Sequence, residues 1–558
     1  MSPVAEGDGK FAAVAVLAVL LRGGVLSLCH RSLGLAPGLA LVPAVAVAAL
    51  INYLGSAFFV FAAPGRDTNR SWRVAAVGVA IYLLALRLAY LGEVELIPQE
   101  AYYWNYSQHL DLGYLDHPPM VAWLIWLGTL IFGKTAIGVR AGALAASLAA
   151  AVFVYLFTRN LLGRARAQIA VMLIACMPYF FGVGFLMTPD APLVACWAGA
   201  VYFLERALRG GKGWGWIGAG ACIGLGLLSK YTIALLPLSI PLYFLLDRPS
   251  RRWLRSPLPY AAALLAAALF SPVILWNARH GWASFEFQGP QRWTGAARFQ
   301  LPLLIGHVLL LVTPLGIIGA IQGAWKAGKE GLFGLVFTAA PLFVFLVSSL
   351  HNETKLNWTG PVWIAALPFL AWSVLPPSGL VPGALARSIQ QGWKITTLLL
   401  LLAAAGVLHY SVLGLPGAPP AIGYCGMSWS DLGRQVEDIE QEVQAEVGRE
   451  PLIVGLDKYH LASELAFYDP EGDGARETAA TNMFGRPGLM YALWFRPSEH
   501  RGQSVVLVSK KRRDLESPLV ATRVARLEPT REILVQKNGA VVGTYFVRVA
   551  HGYCPGPR

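Results

Sequence analysis

Between residues 11 and 413 the chain is a succession of apolar runs separated by short polar stretches. A membrane-crossing helix needs about 20 apolar residues. Thirteen segments approach that length: 11–29, 37–62, 74–92, 137–158, 167–187, 191–208, 214–229, 231–247, 258–276, 301–325, 331–350, 358–376 and 395–413. Two of them, 214–229 and 231–247, are short and are divided only by Lys230. The run starting at Met120 is too short to span and reads as a helix lying at the interface. From residue 414 the pattern changes. Residues 431–447 suit a helix, while 451–457 (PLIVGLD) and 504–509 (SVVLVS) read as buried strands. Residues 527–536 and 541–548 flank Lys537-Asn538-Gly539-Ala540, which predicts a hairpin.

Composition sharpens this two-part picture. Of 558 residues, 14% are charged and 56% hydrophobic, with a mean hydropathy of +0.52. Soluble domains carry about 25% charged residues. A soluble enzyme, a disordered chain and a secreted disulfide scaffold are therefore excluded. Of the 32 acidic residues, 18 lie in 414–558, so the tail alone has ordinary soluble composition. The predicted fold class is an all-α polytopic membrane body of about 13 transmembrane helices with a C-terminal α/β domain. Its expected divisions are a two-helix extension at 1–73, a membrane body at 74–413 and the α/β domain at 414–558.

The net charge of +13 points to a membrane face and anionic lipid, not to nucleic acid. With the N-terminus inside, clusters such as Arg66, Arg70 and Arg73, or Arg248, Arg251, Arg252 and Arg255, fall in inner loops. Outer loops hold scattered cations such as Arg31, Lys134, Lys230 and Lys355. This bias puts the tail outside, in the periplasm of a bacterial inner-membrane protein. The first apolar run lacks a clear cleavage site, so no cleaved leader is expected. Cys425 and Cys554 bracket the tail and can pair only if they meet in space.

The same threading gathers unusual residues on the outer face. The loop from Gly92 to Ala136 carries Glu93, Glu95, Glu100, Asp111 and Asp116. Asp190 stands at the outer end of a span, Lys230 between two spans, and Arg292 and the run His351 to Trp358 follow. Ionisable groups beside apolar spans are costly and usually face a cavity or a partner. A carboxylate can take a proton from an acceptor hydroxyl, a Lys or Arg can neutralise a departing phosphate, and Tyr or Trp can hold a ring or an isoprenoid chain. Each residue also has a plainer use. Glu100 can cap a helix, Asp116 can sit in a turn before Pro118, and Asp190 can be an N-cap. Lys230 can reach the interface, and His351, Lys355 and Asn357 can hold a loop against headgroups. Glu93 and Glu95 with His109 or His117 can offer ligands to a divalent ion, though no spacing demands one.

Taken in order, Gln99-Glu100-Ala101-Tyr102-Tyr103-Trp104, Gly113-Tyr114-Leu115-Asp116-His117-Pro118-Pro119, Thr188-Pro189-Asp190 and Leu228-Ser229-Lys230-Tyr231-Thr232 resemble the C-type integral-membrane glycosyltransferases. The similarity is to the branch of protein O-mannosyltransferases and the lipid A aminoarabinose transferase (glycosyltransferase family 39). Ser271-Pro272 through Trp276-Asn277 and Leu356-Asn357-Trp358 also fit, and the resemblance covers roughly 74–376. It implies inverting transfer of a sugar from a polyprenyl phosphate to an envelope glycolipid, glycan or protein on the outer face. The family has an acidic pair in the first outer loop. Gln99-Glu100 stands there instead, so either Glu100 or Asp116 is the expected base. Asp190 matches a second functional acid and Lys230 a basic residue near the donor phosphate, with Lys355 or Arg292 as helpers. Tyr102, Tyr103, His117, Tyr231, His351, Asn357 and Trp358 are the expected substrate contacts. A transporter or flippase of polyprenyl-linked sugars is the rival. Its polar site belongs near the midplane, whereas these residues gather at one rim. Separately, Ala49 to Gly55 and Phe58 to Phe61 resemble the end of a GtrA-like membrane protein. Only about half of that fold could be present, and a pair of extra packing helices is the preferred reading.

Overall fold

The computed structural model describes residues 3–56, 68–289, 298–352, 354–377, 383–471 and 474–556. The chain forms two compact units. Unit 1 comprises Met1–Leu91, His117–Val121 and Arg140–Gly406; unit 2 comprises Gly92–Asp116, Ala122–Val139 and Val407–Arg558.

Unit 1 is helical. Its first helices are α1 (Pro3–Ser27), α2 (Pro37–Gly55) and α3 (Thr68–Tyr90). The Tyr82 and Tyr90 hydroxyls of α3 donate to the Leu17 and Leu20 carbonyls of α1 at 3.0 and 2.6 Å. Polar side chains on apolar helices are satisfied in this way by the neighbouring backbone. In chain order come α4 (Pro98–Gln108), which belongs to unit 2, and α5 (Met120–Phe132), which belongs to unit 2 from Ala122 onward; unit 1 resumes through α6 (Ala136–Leu162), α7 (Arg164–Cys176), α8 (Pro178–Val183), α9 (Asp190–Leu208), α10 (Trp214–Leu227), α11 (Ser239–Leu246) and α12 (Leu258–Arg279). Helix α10 approaches α12 through Gly220 and Gly224, one turn apart. A Cβ on Gly220 would lie 2.4 Å from the Ala262 carbonyl oxygen, and one on Gly224 would meet Leu269 and Ala266. Small residues at this spacing let helix backbones touch where lipid gives no hydrophobic drive. The unit continues through α13 (Ala283–Gln288), α14 (Leu301–Val312), α15 (Pro314–Lys326), α16 (Lys329–Ser348), α17 (Leu367–Val374) and α18 (Ala384–Leu413).

The protein is a mostly helical polytopic membrane protein with a C-terminal sheet. The span count differs from the thirteen expected. Among the described residues eight helices are long and apolar enough to cross a membrane, or nine if α14 and α15, bent by 80°, form one span. Segment 214–229 forms only the short helix α10, and prolines break the other four, because each removes an amide donor and crowds the preceding turn. Segment 167–187 breaks at Met177-Pro178 into α7 and α8. Segment 301–325 breaks at Thr313, whose φ is +67°, before Pro314. Segment 231–247 opens as a 3-10 turn containing Pro237, and segment 358–376 as a 3-10 turn with Pro361 near its start.

Unit 2 matches the expectations for the tail. Helix α19 (Trp429–Val447) lines up Leu432, Val436, Ile439 and Val443 at helical spacing, and this face is buried with the sheet residues Val506, Val508, Val535 and Val547. The sheet contains β1 (Leu452–Gly455), β2 (Thr478–Ala479), β3 (Val505–Ser509), β4 (Arg526–Leu527), β5 (Arg531–Lys537) and β6 (Ala540–His551). Its order is β2-β1-β3-β6-β4, with β5 also paired to β6. Strands β1 to β3 are parallel, and β6 runs antiparallel to β3, β4 and β5. Asn538 (φ +50°) and Gly539 (φ +79°) make the expected two-residue hairpin turn. Cys425 and Cys554 are both free thiols.

The loop after α3 also folds into unit 2. The Leu96 amide donates to the Tyr468 hydroxyl of α20 (His460–Tyr468) at 2.7 Å, and Trp104 packs edge-on against Phe467. The Glu95 carboxylate accepts from the Trp429 amide and the Ser430 hydroxyl. A negative charge is thereby placed at the N-terminus of α19, where the helix dipole favours it.

Candidate functional site

In unit 1 three of the expected residues converge. Asp190 opens α9 after Thr188-Pro189 and is 4% exposed. Lys230 follows α10 in an extended conformation, which turns its side chain out of the helical path. Its ammonium donates to both carboxylate oxygens of Asp190, at 2.9 and 3.0 Å. Asn357 arrives from the far end of the chain and donates its amide to Asp190 at 2.6 Å. Tyr179 of α8, which the sequence reading missed, donates to the same carboxylate at 3.5 Å. An ammonium has three donors, so two serve Asp190 and one remains for a further acceptor. The segment holding His117 lies beside the Lys230 turn, because the Met120 amide donates to the Leu228 carbonyl at 2.9 Å. Tyr231 pairs with the Ser284 hydroxyl at 3.0 Å and packs edge-on against Phe270 and Phe285. His351 and Lys355 are exposed, and half-buried Trp358 packs near Phe345. Arg292 lies outside the described residues.

In unit 2 the other expected acids separate in role. Glu100 is fully buried in the first turn of α4, and its carboxylate accepts from the Ile97 amide at 3.2 Å. It therefore caps the helix on which it stands. Asp116 is 8% exposed and accepts from the Tyr102 hydroxyl at 3.1 Å and from the Tyr106 hydroxyl. Burial raises its proton affinity, while the two tyrosine hydrogen bonds and the charge of Lys458 act the other way; burial wins, and the carboxyl titrates above its ordinary range. Tyr106 is the second residue missed. It lies one turn from Tyr102, and helical spacing alone puts the two on one face. Their hydroxyls are 3.3 Å apart, and Tyr114 stacks on the Tyr106 ring at 4.0 Å. Tyr102 also accepts from the Met490 amide at 3.2 Å and packs against Tyr459. Tyr103 is buried with them.

No cofactor is established. Two groups of side chains in unit 2 have ligand spacing for a cation, Glu446 with Glu528 and His551, and Glu440 with Glu450 and Glu477. The loop acids Glu93 and Glu95 belong to neither.

Solved structures share this fold. ArnT from Cupriavidus metallidurans in the apo state superposes with a TM-score of 0.57 at 16% identity, over 86% of this chain and 98% of that one. The same protein bound to undecaprenyl phosphate also gives 0.57, over 88% and 99%. The chain has the fold of ArnT, in line with the resemblance carried by the ordered motifs. A family described as Dolichyl-phosphate-mannose-protein mannosyltransferase matches residues 116–276 of this chain, starting at Asp116 and taking in Asp190 and Lys230. A second family, described as GtrA/DPMS, transmembrane domain, matches residues 10–106 and so runs beyond the first two helices. Among curated relatives, an undecaprenyl phosphate-alpha-4-amino-4-deoxy-L-arabinose arabinosyl transferase of Pseudomonas aeruginosa is 31% identical over 34% of this chain and 38% of its own length. Its counterpart 2 in Proteus mirabilis is 27% identical over 53% of this chain and 59% of its own length. The chain thus spans well under two thirds of the curated relatives it matches.

Proposed function

We propose that this protein transfers a sugar from a polyprenyl phosphate to an envelope acceptor at the outer face of a bacterial inner membrane, with inversion at the sugar carbon. The N-terminus then lies in the cytoplasm and unit 2 in the periplasm. An acceptor O–H gives its proton to a carboxylate, its oxygen bonds to the sugar carbon, and the carbon–phosphate oxygen bond breaks, releasing polyprenyl phosphate. Asp116 is the base in this reading. It is a desolvated carboxylate oriented by two hydroxyls and titrating above its usual range, as a general base working near neutrality requires. Glu100 is already engaged with its own helix. The remaining donor of Lys230 serves the departing phosphate, with Lys355 and Arg292 as further cations, while Asp190 and Asn357 fix the direction of Lys230. Tyr102, Tyr103, His117, Tyr231, His351 and Trp358 remain the candidate substrate contacts. The similarity to arabinosyl transferases favours this reading over a transporter.

The test is purified protein supplied with a radiolabelled polyprenyl-phosphate sugar and an envelope extract. Asp116→Asn should lower transfer about 10²–10⁴-fold. Glu100→Gln, which can still cap α4, should retain transfer within a few-fold. Loss in Glu100→Gln with activity kept in Asp116→Asn reverses the assignment. Carrier crossing vesicles with no transfer overturns the reading as an enzyme.

A further inference from the structure

Three carboxylates of unit 2 meet outside the groups described so far. Glu440 lies in α19, Glu450 in the connection from α19 to β1, and Glu477 at the end of α21 (Gly474–Glu477). One oxygen from each lies within 4.8 Å of the other two. Glu440 is the decisive member. It is 5% exposed, and its Oε1 is buried with no hydrogen-bond partner among the described residues. The charged groups acting most strongly on it, Glu437, Glu477, Glu450 and Asp469, are all acids; with burial they push its carboxyl up to about 9. Glu437, one turn earlier, is itself pushed up to about 7 by burial, Glu471 and Asp469, although it accepts from Gln441 at 2.8 Å.

A buried carboxylate oxygen with no partner, on a side chain that brings one oxygen within 4.8 Å of two further carboxylates, is unfavourable unless something neutralises it. A proton relieves only one charge of the cluster. A cation takes one oxygen from each carboxylate at once. Oxygens that ligate Ca²⁺ at about 2.3–2.6 Å stand up to about 5 Å apart, which suits the observed spacing. An all-carboxylate set without Cys or His selects a hard ion over a transition metal. The second acidic group lacks this character, because Glu446 and Glu528 are already engaged by Arg526, Arg531 and His551.

We propose that Glu440, Glu450 and Glu477 form a Ca²⁺-type divalent-cation site that ties the C-terminal half of α19 to the segment leading into β2. This site stands independently of the transfer reaction. The experiment uses full-length protein in detergent, stripped with chelator and titrated with Mn²⁺ as a paramagnetic probe. One Mn²⁺ per chain should lose its free six-line spectrum, and added Ca²⁺ should restore that spectrum. Glu440→Gln and Glu477→Gln should each weaken binding at least about tenfold, as loss of a charged ligand does, whereas Glu446→Gln should leave it unchanged. Glu440→Gln puts a neutral side chain of the same shape where the metal-free protein holds a protonated carboxyl, so the variant should stay folded, which circular dichroism checks. No binding at millimolar Mn²⁺, or binding that survives both Glu440→Gln and Glu477→Gln, overturns the proposal.

Discussion

The Asp190–Lys230 pair separates structure from chemistry most cleanly. Side-chain exposure is 6% for Asp190 and 12% for Lys230, and the ammonium contacts both carboxylate oxygens. Removing one partner of a buried pair strands the other charge and typically costs about 3–5 kcal/mol. The residual exposure of Lys230 places Asp190→Asn and Lys230→Met nearer the lower figure, about 3 kcal/mol each. Asn357 still reaches residue 190 in either variant and softens the loss. The double variant leaves no stranded charge, so its cost should fall short of the sum by about 2 kcal/mol or more, a coupling expected of contacting residues. Thermal unfolding in detergent, followed by tryptophan fluorescence, reads the four proteins. Transfer of labelled sugar reads function in parallel. With Lys230 serving the departing phosphate, the double variant regains stability but stays about 10²–10³-fold slow, the usual loss for a removed electrostatic donor. A double variant that is stable and active would refute the phosphate role and leave a purely structural pair. Single variants as stable as wild type would refute the pair itself.

Other outcomes follow from unit 2. If Asp116 is the base proposed above, it acts ionised and burial raises its titration, so the acidic limb of kcat/KM should lie above the ordinary Asp range; Tyr106→Phe, which removes a hydrogen bond that favours the ionised form, should move that limb higher still in a pH–rate profile. Glu95→Ala should destabilise unit 2 by about 1 kcal/mol in thermal melts, since the N-terminal donors of α19 lose their acceptor. In chelator, unit 2 should lose stability as pH rises from about 5 toward 9. Over that window unfolded Glu440 has released its proton and folded Glu440 has not, so the folded state binds more protons. Glu440→Gln should flatten that dependence, and a slope of opposite sign in wild type would contradict it. Leu432→Ala, at a fully buried position of α19, should cost about 2–5 kcal/mol in the same melts.

What could be read from residues alone depended on how local the signal was. The hairpin at Asn538-Gly539, the apolar face of α19 and the two buried strands are set by near neighbours, and each appears where the periodicity put it. Asp190, Lys230 and Asn357 are 40 and 167 residues apart along the chain, so no periodicity could join them. Their place in an ordered motif did. Tyr106 is legible from spacing, because a tyrosine one turn after Tyr102 shares its face, but the resembling motif ends at Trp104 and does not take it in. The engagement of Glu95 with Trp429 was out of reach, since it joins residues more than three hundred positions apart.

The expected spans that do not form one long helix have a different origin. A hydropathy window averages side-chain transfer and is blind to a missing amide. At Pro178, Pro237, Pro314 and Pro361 the transfer tendency stays apolar while the helix cannot continue unchanged. The information was present as proline positions, and it is local. Near two of these breaks stand residues of the Asp190 cluster: α8, which begins after the break at Met177, carries Tyr179, and the 3-10 turn with Pro361 follows Asn357. A continuous span offers a membrane only side chains and keeps its backbone groups to itself, whereas a break frees chain direction for a polar cluster. The prolines that spoil the count of spans thus lie beside the segments that bring Tyr179 and Asn357 to Asp190.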